Sequence, residues 1–344
     1  MCKATLKTFL LGLSLVIASR AGGVNTKDTK DLMAPRLTQK SALRKNNASE
    51  GGKTKRDELK IFICSANVFM HNGYRGKKID GSNLPKDELS KKIIELIMNK
   101  AGNDNDVVIV GFQELREGRQ EVHNQLREMG AVLAESWDSQ GFTNTIAVIS
   151  KHAKTKKHVC SQIDFKQTYR SGRSASLISF PDLGLTIANT HLFGGKYDDI
   201  DFHKYQNSRG DMLMHIVEKN PLKQTPHIVM GDFNSDTKND SASTKGYWEN
   251  ILEDKTPKDK NLSFKHVKKF LASGHDYLNE QGYVSLIERD TMQPTTPFGV
   301  VCDWIYFKKQ SLKDYKVLES GACNAMEMGL SDHNFPWVRI SVGT

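Results

Sequence analysis

A sandwich of β-sheets flanked by helices, of mixed α/β (α+β) class, is what the sequence predicts from Leu59 onward. Short runs of β-branched residues alternate there with amphipathic stretches, without the regular strand–helix–strand repeat of a parallel sheet. Several of those runs end in acid, amide or imidazole groups. The 344 residues suffice for one large core, and nothing in the chain demands a second.

The elements follow in order. Residues 59–64 read as a strand leading to Asn67. Residues 86–100 place Leu89, Ile93, Ile94, Leu96 and Ile97 on one helical face, and Gly102 follows as a stop. Residues 107–110 form a buried strand, and 116–129 a second helix with Val122, Leu126 and Met129 at helical spacing. Strand-like runs follow at 145–149, 176–180 and 185–188, then a helix at 209–218 and a strand at 228–230. The stretch 236–263 is polar and reads as a surface loop, 264–271 as a helix, 304–307 as a strand and 337–342 as the closing strand. There is no internal repeat.

Residues 1–21 read differently. Lys3 and Lys7 precede an apolar run over 8–18, and Ser19-Arg20-Ala21 offers small residues for cleavage. That is the form of a secretory signal peptide, too short to remain as a membrane anchor. A secreted protein with no stable membrane insertion is therefore expected. Residues 22–58 are rich in Lys, Asn, Thr, Ser and Gly and cannot bury enough to order themselves, so they read as a flexible basic linker ahead of a folded domain over 59–344. The linker carries +4 and the leader +3 of the +9 net charge, leaving only +2 to the domain. The basic balance is thus no argument that the domain binds nucleic acid. Beyond the leader stand Cys64, Cys160, Cys302 and Cys323, which allow three pairings in an oxidising compartment. Cys302 with Cys323 is the expected pair, and Cys64 reads as a buried thiol.

Four polar motifs carry the chemistry. Gly111-Phe112-Gln113-Glu114, Asn189-Thr190-His191-Leu192 and Gly231-Asp232-Phe233-Asn234 each close a strand-like run, and Ser331-Asp332-His333 precedes the last one. A rigid sheet can hold a reacting group at such ends. Hydrolysis of a phosphate ester needs the phosphoryl oxygens neutralised, a water activated and the leaving oxygen protonated. A divalent metal on carboxylates does the first and aids the second, and histidines do the rest. Magnesium keeps several waters, so one or two carboxylates with amides suffice. The chain offers Glu114, Asp232, Asp303 and Asp332 as carboxylates, Asn67 and Asn234 as amides, and His191 and His333 as imidazoles. No Cys/His cluster has zinc spacing. His71, His123, His158, His203 and His275 lack this context and read as surface or core residues.

Taken in order over roughly residues 59–342, these motifs resemble the endonuclease/exonuclease/phosphatase superfamily, the fold of deoxyribonuclease I. The resemblance implies a four-layer sandwich, two packed mixed β-sheets flanked by helices. It implies Asn67 and Glu114 at the metal, Glu114 as direct ligand, with Asp332 completing the metal or bonding an imidazole. Asp232 would orient or activate the attacking water, Asn234 would contact the phosphate, and His191 and His333 would flank it. Asp303 would orient His191. Tyr169, Arg170 and Arg173, in a Gly/Ser-rich segment, would meet the phosphate. The implied ion is Mg²⁺, with Mn²⁺ or Ca²⁺ as alternatives. One departure stands out: the family places one residue between the terminal His and a Pro, whereas Asn334 and Phe335 both intervene before Pro336. An extra residue reverses the facing of all that follows unless a bulge absorbs it.

The superfamily's substrates include nucleic acids, inositol phosphates and phosphoinositides, and sphingomyelin. Gln113-Glu114-Leu115-Arg116, the Gly-Asp-Phe-Asn-Ser-Asp run and Asn324-Ala325-Met326-Glu327-Met328 look like secreted deoxyribonucleases. The Arg that inositol polyphosphate 5-phosphatases carry soon after Gly-Asp-Phe-Asn is absent, and Cys302-Asp303 is followed by Trp304 instead of Arg. The expectation is a monomeric phosphodiesterase acting on nucleic acid. A phospholipid or inositol-phosphate hydrolase is the second reading, and a non-catalytic binding protein the third.

Overall fold

The computed structural model describes residues 58–68, 84–116, 118–138, 141–150, 157–165, 173–194, 207–237, 264–297, 299–310 and 315–343. The expected leader and the linker lie outside these, apart from Glu58, and so do Tyr169, Arg170 and nearly all of 236–263.

Twelve strands form two six-stranded sheets among the described residues. They are β1 Glu58–Asn67, β2 Val107–Leu115, β3 Val132–Trp137, β4 Thr143–Ser150, β5 Val159–Asp164 and β6 Ser174–Phe180. Then come β7 Leu185–His191, β8 Ile228–Asp232, β9 Tyr283–Ser285, β10 Asp303–Lys308, β11 Tyr315–Cys323 and β12 Phe335–Gly343. The first sheet runs β11-β12-β1-β2-β4-β3 and the second β5-β6-β7-β8-β10-β9. Each is mixed: β1 pairs with β2 in parallel, β7 with β8 in parallel, and the remaining neighbours are antiparallel. Among the described residues the four α-helices are α1 Lys86–Ala101, α2 Arg119–Glu128, α3 Ser208–Val217 and α4 Phe264–Glu280.

Alternation along β1 and β2 shows why the layers stack. Ile61, Ile63, Val107 and Ile109 face the second sheet, where Ile178, Ile187, Ile228 and Met230 line the facing side. Phe62, Cys64, Val108 and Val110 face outward, under Leu89, Ile93 and Ile97 of α1 and Val122 and Leu126 of α2. A strand buried on both faces needs an unbroken apolar run, which is what the sequence has there. Met212, Leu213 and Ile216 of α3 and Leu278 of α4 pack with the core that includes the second sheet. The arrangement is the expected two-sheet sandwich with flanking helices. Among the described residues no helix is long and apolar enough to cross a membrane.

Three expectations are corrected. Cys302 and Cys323 are not joined, and all four described cysteines are free. Cys302 leads into β10 of one sheet, whereas Cys323 ends β11 of the other and lies with Cys64 in the outer cluster. The helix expected over 116–129 begins only at Arg119, because Arg116 bridges to Gly118 and Gly118 takes a left-handed φ of 76°. The helix expected over 264–271 continues to Glu280.

Candidate active site at the shared end of the two sheets

Parallel β7 and antiparallel β10 flank β8, and their registers meet at one residue. His191 is opposite Asp232 on one side and Asp303 is opposite it on the other. Gly231 makes this possible. It has φ 145°, and a Cβ there would lie 1.8 Å from the Thr190 carbonyl oxygen, so any side chain would force β7 and β8 apart. From the first sheet comes Glu114, on an irregularity between Phe112 and Leu115 where β2 slips against β4. Its own φ of 59° is left-handed. Such a conformation costs about 1 kcal/mol or more in a non-glycine residue, and here it accompanies the slip at which Glu114 enters the site.

The two sheet ends are tied together by buried amides. Gln113 Nε2 donates to Asn189 Oδ1 at 2.6 Å, while Asn189 Nδ2 donates to the carbonyls of Phe112 and Thr145 at 2.8 and 3.2 Å. Gly111 leaves the room, since a Cβ there would meet Asn189 Oδ1 at 2.7 Å. Asn67, at the end of β1, donates from Nδ2 to Asp232 Oδ2 at 2.9 Å and to Glu114 Oε1 at 3.4 Å. The other Asp232 oxygen accepts the Asn234 N–H at 2.7 Å. Asn234 has φ 53° and donates from Nδ2 to the Leu192 carbonyl at 3.0 Å. Ser331 Oγ donates to the Asn67 carbonyl at 2.7 Å and accepts the His333 N–H at 3.1 Å, tying the last motif to β1.

The two imidazoles differ in state. Arg173 donates to His191 Nδ1 at 2.8 Å. A guanidinium cannot accept, so Nδ1 must be the unprotonated nitrogen and Nε2 carries the proton. Nε2 lies 3.5 Å from Asp232 Oδ2. Burial holds the His191 pKa well below its usual value, and the charges of Arg173, His333 and Arg209 push the same way, so the ring is neutral. At His333 burial also opposes charge, but Asp303 overcomes it through its charge and a 2.7 Å bond from Nδ1 to Oδ2, and Asp232 and Asp332 add to it. The outcome is a pKa raised to about 10. Burial raises Asp303 to about 6 against the pull of His333. Between those values the pair stands as carboxylate and imidazolium.

Asp303 therefore bonds His333, not His191 as expected. It sits two strands from His191 in the second sheet, roughly 10 Å by strand spacing, whereas His333 approaches from the first sheet. Arg173 lies within the site, as the sequence placed it, but its described partner is His191. Arg209 of α3 also acts here: it is fully buried and donates from Nε to the Phe193 carbonyl at 2.8 Å. No pattern in the sequence marks it. His275 is a core residue, bonded to Ser235 Oγ at 3.0 Å and Tyr306 Oη at 2.7 Å.

The donor set suits a hard cation. Ligand atoms of Glu114, His191 and Asp232 lie within 4.8 Å of one another, as do those of Asp232, Asp303 and His333. Burial raises Glu114 to about 7, helped by Asp232 and Asp332 and opposed by Arg173 and His333. Burial raises Asp332 as well. Asp303 Oδ1 and Asp332 Oδ1 are buried with no hydrogen-bond partner among the described residues. Crowded, desolvated carboxylates with unused oxygens are what a divalent cation relieves. Asp332 belongs to neither tight group and reaches them only through longer-range charge.

Comparison with solved structures agrees on the fold. The inositol polyphosphate 5-phosphatase domain of SPsynaptojanin, solved with inositol (1,4)-bisphosphate and calcium, is 14% identical with a TM-score of 0.51. The match covers 84% of this chain and 85% of that one. The endonuclease/exonuclease/phosphatase from Bacteroides vulgatus gives 15%, 0.49, and 83% and 100% coverage. The Cimex nitrophorin A21V mutant ferrous NO complex gives 13%, 0.47, and 83% and 99%. No family model and no curated protein matches the chain. The chain shares the fold of that 5-phosphatase domain. At these identities the likeness speaks to fold, and the chemistry has to be argued from the site.

Proposed function

We propose that the protein is a secreted, divalent-metal-dependent phosphoric ester hydrolase that cleaves a phosphodiester, with nucleic acid as the favoured substrate. One observation carries the reading: Asp232 is shared by two tight groups, Glu114–His191–Asp232 and Asp232–Asp303–His333, one imidazole of which is neutral and the other charged. Glu114, with Asn67 hydrogen-bonded to it, would hold Mg²⁺ or a related ion, and Asp332 would add its charge from further away. When bound, that ion supplies charge neutralisation at the phosphoryl oxygens. Asp232, oriented by Asn67 and by the Asn234 N–H, takes the proton of the attacking water. His191 donates from Nε2 to a phosphoryl oxygen, its tautomer set by Arg173. His333 gives its proton to the leaving oxygen, and Asp303 stabilises its charged form.

Secretion is supported by the basic start and apolar run of the first 21 residues. The nucleic-acid preference is supported by the Gln113-Glu114-Leu115-Arg116 and Gly-Asp-Phe-Asn-Ser-Asp runs. The deciding assay incubates the protein with supercoiled plasmid, with Mg²⁺ or with EDTA, beside Asp232→Ala. Metal-dependent nicking that the variant lacks is the expected result. Cleavage of sphingomyelin or of an inositol phosphate with the plasmid intact would move the substrate to the second reading. A folded protein that cleaves none of these with any divalent ion would overturn the proposal.

A further inference from the structure

Asn334 is the residue by which this chain departs from the superfamily pattern, and the structure gives it an occupation. It lies just before β12, which pairs with β11 without a break from Cys323↔Phe335 to Glu319↔Arg339. The extra residue is thus taken up in the loop ahead of the strand. Asn334 is 5% exposed. Its N–H donates to the Thr295 carbonyl at 2.9 Å, its Nδ2 donates to the Pro294 carbonyl at 3.1 Å, and its Oδ1 accepts the Met326 N–H at 3.1 Å. Thr295 is fully buried in turn, and its Oγ1 accepts the N–H of Cys302 at 2.8 Å and of Asp303 at 3.3 Å.

These contacts close a ring. The chain joins His333 to Asn334, a hydrogen bond joins Asn334 to Thr295, another joins Thr295 to Asp303, and Asp303 Oδ2 returns to His333 Nδ1 at 2.7 Å. The ring crosses the sandwich, because Asp303 opens a strand of the second sheet while His333 leads into a strand of the first. A carboxylate–imidazole bond between two sheets is only as well aligned as the loops that carry its ends. We propose that Asn334 and Thr295 are positioning residues that hold Asp303 and His333 in hydrogen-bond register across the two sheets. Its consequence for turnover rests on the phosphoesterase reading of His333, while the geometry stands without it.

The test uses the full chain with ¹⁵N-labelled histidine and no substrate. The proton on His333 Nδ1, held by a buried carboxylate, gives a resonance in water identified by its loss in His333→Ala. Thr295→Val opens the ring, and Asn334→Ala removes the two side-chain bonds, to Pro294 and Met326, that brace its Asn334–Thr295 link, whereas Thr295→Ser keeps the oxygen that closes it. The resonance is expected to vanish in the first two, folded, variants and to persist in Thr295→Ser. On a cleaved substrate, kcat in the first two falls about tenfold to a hundredfold with KM little changed, the scale on which small misplacements act. A folded Asn334→Ala or Thr295→Val that keeps the resonance, even with a lowered Tm, shows a merely structural brace and overturns the proposal. Should Asn334→Ala not fold, the Thr295→Val and Thr295→Ser pair decides. Loss of the resonance in a protein that cleaves no phosphodiester leaves the ring standing and removes the proposed function instead.

Discussion

At the scale of single residues, the site separates two histidines by their neighbours. His191 has a guanidinium on Nδ1 and stays neutral; His333 has a carboxylate on Nδ1 and stays charged. Removing His333 should therefore remove an acid. We expect His333→Ala to lower kcat about a hundredfold or more in protein that still folds, as loss of a general acid does, with the urea unfolding midpoint lowered because Asp303 loses its buried partner. The pH profile follows from the signs of the shifts. Asp303, raised to about 6, loses its charge below that value, so activity falls on the acid side. His333, raised to about 10, loses its proton above that value, so activity falls on the alkaline side. In Asp303→Asn the charge that raises His333 is gone while burial, which lowers it, remains. The alkaline limb should then move to lower pH, and a limb that stays in place would show that His333 is not the acid.

At the scale of elements, strands decided more than residues. The eight interior strands all announced themselves as apolar or β-branched runs: 59–64, 107–110, 145–149, 176–180, 185–188, 228–230, 304–307 and 337–342 each lie within one. The four the sequence did not signal, β3, β5, β9 and β11, are the four sheet edges. An edge strand is buried incompletely and carries charge against unwanted pairing, so its pattern is faint. Along β11, Lys316 through Glu319 are exposed, and nothing in Tyr-Lys-Val-Leu-Glu-Ser reads as core. The interior strands carry the site, and Gly231 is where their spacing is most sensitive. Gly231→Ala would put a methyl group 1.8 Å from the Thr190 carbonyl oxygen at a φ of 145°. We expect it to cost about 3 kcal/mol or more, measured by urea unfolding, and to reduce activity in whatever folds, because His191 and Asp232 face each other across that pair of strands.

At the scale of the whole molecule, one end of the sandwich gathers Glu114, Asp232 and Asp303 with little solvent between them. A cation that binds the folded chain and not the unfolded one stabilises it by mass action, by about 2.7 kcal/mol at a hundred times Kd. Mg²⁺ should thus raise Tm, and EDTA should reverse it. Glu114, raised to about 7, must lose its proton to bind, so the rise should grow as pH climbs through 7 and shrink below it. Glu114→Gln should abolish both the rise and its pH dependence. A Tm indifferent to Mg²⁺ at pH 8 would argue against a cation at this site. The sequence could specify the layers, because a strand buried on both faces must be apolar throughout, and it could specify the reacting groups, because acids, amides and imidazoles at strand ends are visible as motifs. It could not specify which acid serves which imidazole. That depends on β8 lying between β7 and β10 and on the last motif arriving from the other sheet, and pairing between segments distant in the chain leaves no local periodicity. Asp303 went to His333 and Asn334 went to Thr295 for that reason: each partner is a neighbour only in the folded sandwich.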